Sequence, residues 1–173
     1  MTDEELVAWV DEDEKLIKVI PKSLANSDPK YLHSEIVVLV VDAQRRVLLQ
    51  QRAKTKPVHP GLWTVAAAGH VTYGDTFLAT AHRELKEEMG IECKELIHLF
   101  REKVLLLNET HFFHWFLGLY QGDPIVIQTD EVDEYIWIGQ SEYDDFSDTH
   151  KVSPYTNKVI QRYWAGEWDH LLK

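Results

Sequence analysis

One cysteine, Cys93, stands alone among 173 residues. An internal disulfide is therefore excluded, and so is a zinc site built on paired thiolates. The 8 glycines and 6 prolines form no Gly/Ser linker or low-complexity tract, so nothing divides the chain into separate units. No apolar run approaches the roughly 18 residues that a membrane-spanning helix needs. The acidic opening "MTDEELVAWVDEDEK" also lacks the basic and apolar segments of a secretion signal. A cytoplasmic setting with no membrane partner is expected. Positive charge is scarce as well: 18 Lys and Arg face 29 Asp and Glu, a formal charge of −11. That sign repels a nucleic-acid backbone, so no nucleic-acid partner is expected. A small anionic substrate remains feasible where bound divalent cations reverse the local field.

What is present is 45% hydrophobic and 11% aromatic, the composition of a globular domain. Residues 1–173 read as one domain, with an N-terminal hairpin or extension over 1–32, a core over 33–140 and a C-terminal helical segment over 141–173. In the core, "EIVVLVV" (35–41) and "VLLQQR" (47–52) flank the polar "DAQRR" and predict a hairpin at the sheet centre. "LWTVAAAG" (62–69) predicts a short strand. "ELIHLFREKVLLL" and "HFFHWFLGLY" predict a second hairpin, "QGDP" a turn and "EYIWIG" a last strand. Ser153 before Pro154 predicts the start of a closing helix. Neighbouring hairpins mixed with helices indicate an α+β fold.

The stretch "RELKEEMGI" (83–91) ends a helix expected from about Asp75 to Met89 and closed by Gly90. At about 100° per residue, Glu84, Glu87 and Glu88 share an arc of roughly 100°, beside the apolar Leu78, Ala81, Leu85 and Met89. A solvated acidic face is the ordinary reading of such a cluster. Two effects oppose it here. Like charges at i,i+3 and i,i+4 repel by roughly 0.2–0.5 kcal/mol per pair, and the helix dipole disfavours acids near the C-terminus. Oxygen-rich clusters suit hard cations such as Mg2+ or Mn2+, which bind phosphates and polarise water.

The longer stretch "GHVTYGDTFLATAHRELKEEMGI" (69–91) resembles the Nudix box, G-x5-E-x7-R-E-U-x-E-E-x-G-U with U aliphatic. Gly69, Arg83, Glu84, Leu85, Glu87, Glu88, Gly90 and Ile91 match the pattern. Asp75 stands where it has Glu, and also reads as the helix N-cap. The resemblance implies a Nudix-type α/β/α sandwich around a mixed β-sheet. It implies Glu84, Glu87 and Glu88 as ligands of Mg2+ or Mn2+, Arg83 as the residue orienting a glutamate, and Glu87 with Arg83 as the catalytic pair. The implied activity is that of a hydrolase, a pyrophosphatase in which metal-activated water cleaves a diphosphate linkage in a small, nucleoside-diphosphate-containing substrate.

Outside the box, residues 33–70 resemble isopentenyl-diphosphate isomerases and the hydrolases close to them. The likeness rests on "LH" ending at His33, Arg52, Lys56, "PGLW" ending at Trp63 and the "GH" of Gly69 and His70, and "DEVDEYIW" (130–137) extends it. It implies that Arg52 and Lys56 contact the substrate diphosphate and that His70 contacts metal or phosphate; an exposed loop and a merely hydrogen-bonded histidine are the alternatives. The isomerases need an acid/base cysteine just before "GH", where this chain has Ala68, whose methyl transfers no proton. His33 fits another isomerase ligand position, but Asn26 stands where a further histidine would fall, and "HFFHWF" offers no clear glutamate pair. His111 and His114, at i,i+3 on a strand, face opposite sides and are expected to pack rather than share a metal. Glu131 and Glu134 read as an extra ligand or general base, or, by preference, as a charged turn. Trp63, Phe113 and Trp115 read as core. The rivals to hydrolysis are a ligand-binding module and an isomerase. Substrate choice falls to loops 53–61 and 140–153, and a homodimer is left open.

Overall fold

The computed structural model describes residues 4–106 and 108–172. Leu107, the end of the expected 95–107 strand, lies outside the described residues, as do the first three positions and the last of the expected 1–173 domain. The chain opens with β1 (Leu6–Val10) and β2 (Leu16–Pro21), an antiparallel hairpin around the acidic turn that the sequence suggested. A single helical turn, α1 (Lys22–Ala25), follows Pro21.

The first core hairpin is β3 (His33–Val41) and β4 (Val47–Arg52). Its turn is held by Asp42, whose carboxylate accepts from the backbone N–H of Gln44 at 3.0 Å and of Arg46 at 2.8 Å. The two strands part after the pairs Val40↔Leu48 and Val41↔Val47. The run expected as one strand over 62–69 fills the parting in two pieces. β5 (Trp63–Val65) pairs with β4, β6 (Ala67–His70) pairs with β3, and the chain changes partner at Ala66.

Next comes α2 (Phe77–Met89), the expected helix, starting two residues late. Thr76 rather than Asp75 is its N-cap, accepting from Ala79 N–H at 3.1 Å, and Gly90 ends it in the left-handed region at φ 71°. β7 (Leu96–Leu106) and β8 (Glu109–Leu119) form the second hairpin. β8 also runs parallel to β3, from His33↔His111 to Val41↔Leu119. Gly122 bends the chain at φ 96° within the expected turn, and β9 (Val132–Ile138) then joins β4. The expected loop over 140–153 is mostly a helix, α3 (Gln140–Thr149); the expected closing helix is α4 (Pro154–Trp164).

Strand alternation distributes β3 between two cores. Val37, Leu39 and Val41 join Leu117, Tyr143 and Ile160 under α3 and α4. Ile36, Val38 and Val40 join Ala81, Leu85 and Phe116 under α2. Each such fully buried aliphatic or aromatic side chain stabilises the fold by roughly 1.5–3 kcal/mol. A mixed sheet between helical layers is the expected α/β/α sandwich. Leu78, expected on the packed face of α2, is 45% exposed, and Thr80 is buried instead. Among the described residues no helix is long and apolar enough to cross a membrane.

Candidate active site

The parting of β3 and β4 opens a cavity of about 780 Å3. Along one wall lies the last part of α2. Gly69 on β6 faces it closely: a Cβ there would stand 2.6 Å and 2.7 Å from the two carboxylate oxygens of Glu84. The missing side chain is the space that Glu84 occupies. Arg83 Nη1 lies 2.7 Å from Glu84 and 3.2 Å from Glu87, tying the two acids together at the cavity rim.

Glu88 is buried. Its carboxylate accepts from the Gln50 side-chain amide and, at 3.3 Å, from the Ala68 backbone N–H. Burial raises its pKa to about 8, with Glu84 adding like-charge repulsion. Burial likewise raises Glu84 to about 7, against the pull of Arg83. A buried and a partly buried acid that resist ionisation beside a third acid form a donor set that a divalent cation would suit, since its charge would lower both values. The expected metal ligands Glu84, Glu87 and Glu88 thus lie together on one cavity wall, with Arg83 beside them.

The expected substrate contacts also line the cavity. Lys56 Nζ lies 2.6 Å from Glu131, and Arg52 Nε donates to the Val58 carbonyl at 2.8 Å. Lys22 joins them from α1, anchored by Glu5 at 2.7 Å; no local sequence pattern marks it, since only the folded hairpin brings α1 here. Glu131, expected in a charged turn, lines the cavity, whereas Glu134 is exposed. Asp75 is exposed ahead of the helix. Phe113 and Trp115 belong to the core as expected and also form cavity wall; Trp63 packs at right angles against Phe146.

A second cluster occupies the cavity floor. His33, His70, Glu109 and His111 hold potential ligand atoms within 4.8 Å of one another. His111, expected only to pack, is therefore part of a donor set, while His114 faces the other side of β8 as anticipated. Its ring stacks on Phe77 at 3.7 Å between centroids. His33 Nδ1 donates to the Tyr31 carbonyl at 2.7 Å, leaving a buried Nε2 with no hydrogen-bond partner. Burial lowers its pKa to about 4, helped by His111, and burial likewise holds His70 well below the usual imidazole range. Burial opposes the charged form of His111 too, but Glu35 and Glu109 outweigh it and raise its pKa. Neutral imidazoles with an orphaned nitrogen beside a carboxylate fit a borderline divalent ion.

Residues 31–163 match the family model described as NUDIX domain. The chain is 39% identical over 111 residues to Isopentenyl-diphosphate Delta-isomerase 2 of Photorhabdus laumondii, a match spanning 62% of each protein. It is 34% identical over 139 residues to Isopentenyl-diphosphate Delta-isomerase 1 of Aromatoleum aromaticum, covering 78% of this chain and 77% of that one. It is 28% identical over 138 residues to Nudix hydrolase 3 of Arabidopsis thaliana, covering 73% of this chain and 18% of the other. Among solved structures, DR0079 from Deinococcus radiodurans shares the fold with a TM-score of 0.74 at 14% identity, covering 91% of this chain and 98% of that chain. With its motif residues gathered at one cavity and the family model matched over most of its length, the chain belongs to the NUDIX domain family.

Proposed function

We propose that the chain is a Mg2+- or Mn2+-dependent hydrolase, a pyrophosphatase that opens a diphosphate linkage in a small, nucleoside-diphosphate-containing molecule. The observation that carries this reading is a shared cavity in which three clustered glutamates meet three cationic side chains, Lys22, Arg52 and Lys56. The glutamates suit a hard cation and the cations suit a diphosphate.

Glu84, Glu87 and Glu88 would hold the divalent ion, and Gly69 leaves room for the first of them. When bound, such an ion lowers the pKa of water and offsets charge on phosphoryl oxygens. Arg83 fixes the orientation of Glu84 and Glu87. Glu87, the most exposed of the three at 51%, would accept the proton of the attacking water at the cavity rim. Lys22, Arg52 and Lys56 orient the diphosphate; Lys56 must exchange Glu131 for phosphate to do so.

The isomerase names of two relatives and the imidazole cluster favour a second reading, isomerisation of an allylic diphosphate. Ala68 opposes it, because its methyl takes the place where proton transfer would need a thiol. The deciding experiment incubates purified protein with nucleoside diphosphates, dinucleoside polyphosphates, nucleotide sugars, coenzymes and isopentenyl diphosphate in Mg2+ or Mn2+. Metal-dependent release of phosphate products is expected, reduced about a hundredfold or more in Glu88→Gln, since even outer-shell partners of a metal cost ~10–100-fold. Rearranged isopentenyl diphosphate would install the isomerase. Tight binding without turnover of any compound would install a ligand-binding module.

A further inference from the structure

Glu5 stands outside the residues that line the cavity, yet both of its carboxylate oxygens are committed beside it. Oε2 accepts from Lys22 Nζ at 2.7 Å, and Oε1 accepts from the Thr72 hydroxyl at 2.7 Å. The hairpin register puts the acid there: Leu6 pairs with Pro21, so the next position outward on each strand sets Glu5 opposite Lys22. The main chains join as well. The Glu5 carbonyl accepts from Lys22 N–H at 2.9 Å, and the neighbouring Glu4 carboxylate accepts from Ser23 N–H at 3.0 Å. Thr72 lies between β6 and α2 and forms a β-bridge with Val7. One carboxylate therefore ties a cavity lysine to the segment that leads from Gly69 into the helix of the glutamates.

We propose that Glu5 is a positioning residue of the diphosphate site, fixing the ammonium of Lys22 at a set distance from the cluster of Glu84, Glu87 and Glu88. The proposal rests on the diphosphate reading given above and adds what holds Lys22 ready for it. A lysine side chain is long and flexible, and ordering one on binding lowers affinity by roughly 3–10-fold. Lys22 is ordered in advance. Among the described residues Glu5 is its one ion-pair partner, and side-chain exposures of 36% and 30% leave the pair half-buried. Burial opposes ionisation of Glu5, but Lys22 and Thr72 outweigh it and hold its pKa below the ordinary value. Lys56 is the contrast. Its partner Glu131 lines the cavity and competes with a phosphate for the ammonium, whereas Glu5 grips Lys22 from behind and leaves its remaining N–H donors for phosphate oxygens.

The test uses the whole chain and methylenediphosphonate in excess Mg2+, a probe with the charge and span of a diphosphate but no hydrolysable bridge, with affinity read by calorimetry. Lys22→Ala is expected to weaken binding ~10–100-fold. Glu5→Ala is expected to weaken it about 3–10-fold, and to have no further effect in the Lys22→Ala background, as befits a residue that acts through another. Glu5→Gln, whose amide oxygen accepts from Lys22 and whose amide nitrogen donates to Thr72, should recover most of the loss. Mn2+ alone should bind all of these proteins equally. Wild-type or tighter affinity in Glu5→Ala overturns the inference while leaving the diphosphate reading in place. So does an undiminished Glu5→Ala effect in the Lys22→Ala background, or a matching loss of Mn2+ affinity, since either marks a general disturbance of the cavity. If wild type fails to bind the probe, or Lys22→Ala binds it as well as wild type does, the diphosphate contact itself falls and the inference with it.

Discussion

At the residue scale, a single missing methyl sets the geometry of the glutamates. Gly69→Ala would put a carbon within 2.7 Å of both Glu84 carboxylate oxygens, closer than unbonded atoms rest. Its expected outcome is a folded protein with Mn2+ affinity and turnover reduced about tenfold or more, checked by calorimetry and steady-state kinetics; wild-type values would refute the cradle. The raised pKa values of Glu84 and Glu88 give a second expectation. Between the ordinary carboxyl range and about 8, the folded chain keeps protons that the unfolded chain has released. Their contribution to the stability of the metal-free protein therefore falls as pH rises through that window. Melting temperatures in chelator should decline only from about pH 7 to pH 8, above the range in which the buried neutral His33 and His70 contribute the opposite slope, decline less in Glu88→Gln, and recover on adding Mg2+ or Mn2+ at the alkaline end. The sequence made this cluster legible because its three acids lie within one and a half helical turns. It hid Lys22, which the folded N-terminal hairpin carries to the cavity, and the place of His111, which the parallel pairing of β3 with β8 sets beside His33, because such pairings join residues far apart in the chain and leave no local pattern.

Among the elements, the end of α2 is legible at Gly90 while its start falls two residues after the expected Asp75, and α3 lies within the helical segment expected over 141–173 although 140–153 also reads as a loop. Gly90 ends α2 at φ 71°, and a Cβ there would come within 3.0 Å of the Val126 carbonyl oxygen. Gly90→Ala should cost about 1–2 kcal/mol in chemical denaturation, from left-handed strain and crowding together. A change below about 0.3 kcal/mol would mean that the loop yields freely. The segment forming α3, "QSEYDDFSDT", is rich in Ser and Asp, which favour turns over helix interiors, and so it read as a loop. Tertiary contacts override that preference. Tyr143 is buried, Phe146 packs on Trp63, and the Glu142 carboxylate accepts from Gly139 N–H at 3.2 Å. β5 and β6 were read as one strand for a related reason: the change of partner at Ala66 depends on how two other strands separate.

For the whole molecule, the N-terminal hairpin acts as a clasp that completes the cavity. Glu14 at its turn accepts from Ser34 at 3.1 Å, meets His114 Nε2 at 2.6 Å and pairs with Arg101, while Glu12 pairs with Lys103 at 2.5 Å. At the other end of β1, the Leu6 carbonyl accepts from Tyr73 N–H at 2.7 Å. Lys22 and Asn26, which line the cavity, follow directly from this hairpin. Glu14→Ala leaves the buried His114 without its carboxylate and should cost about 1–3 kcal/mol. Hydrogen exchange in β1 and β2 should quicken and KM for a diphosphate should rise with kcat less affected; unchanged exchange would disprove the clasp.

The opening between β3 and β4 has a consequence for motion. A gap in mid-sheet would ordinarily strand backbone donors and acceptors, but β5 and β6 satisfy the inner edges, while β9 and β8 flank the outer ones. His33, His70 and the Gly69 that makes room for Glu84 are therefore mounted on the paired centre of the sheet instead of on its fraying margins. Amides of β3, β4 and β6 should exchange only when the entire domain unfolds, so the His33 and His70 imidazoles keep their spacing through the small fluctuations that would blur a site carried on loops.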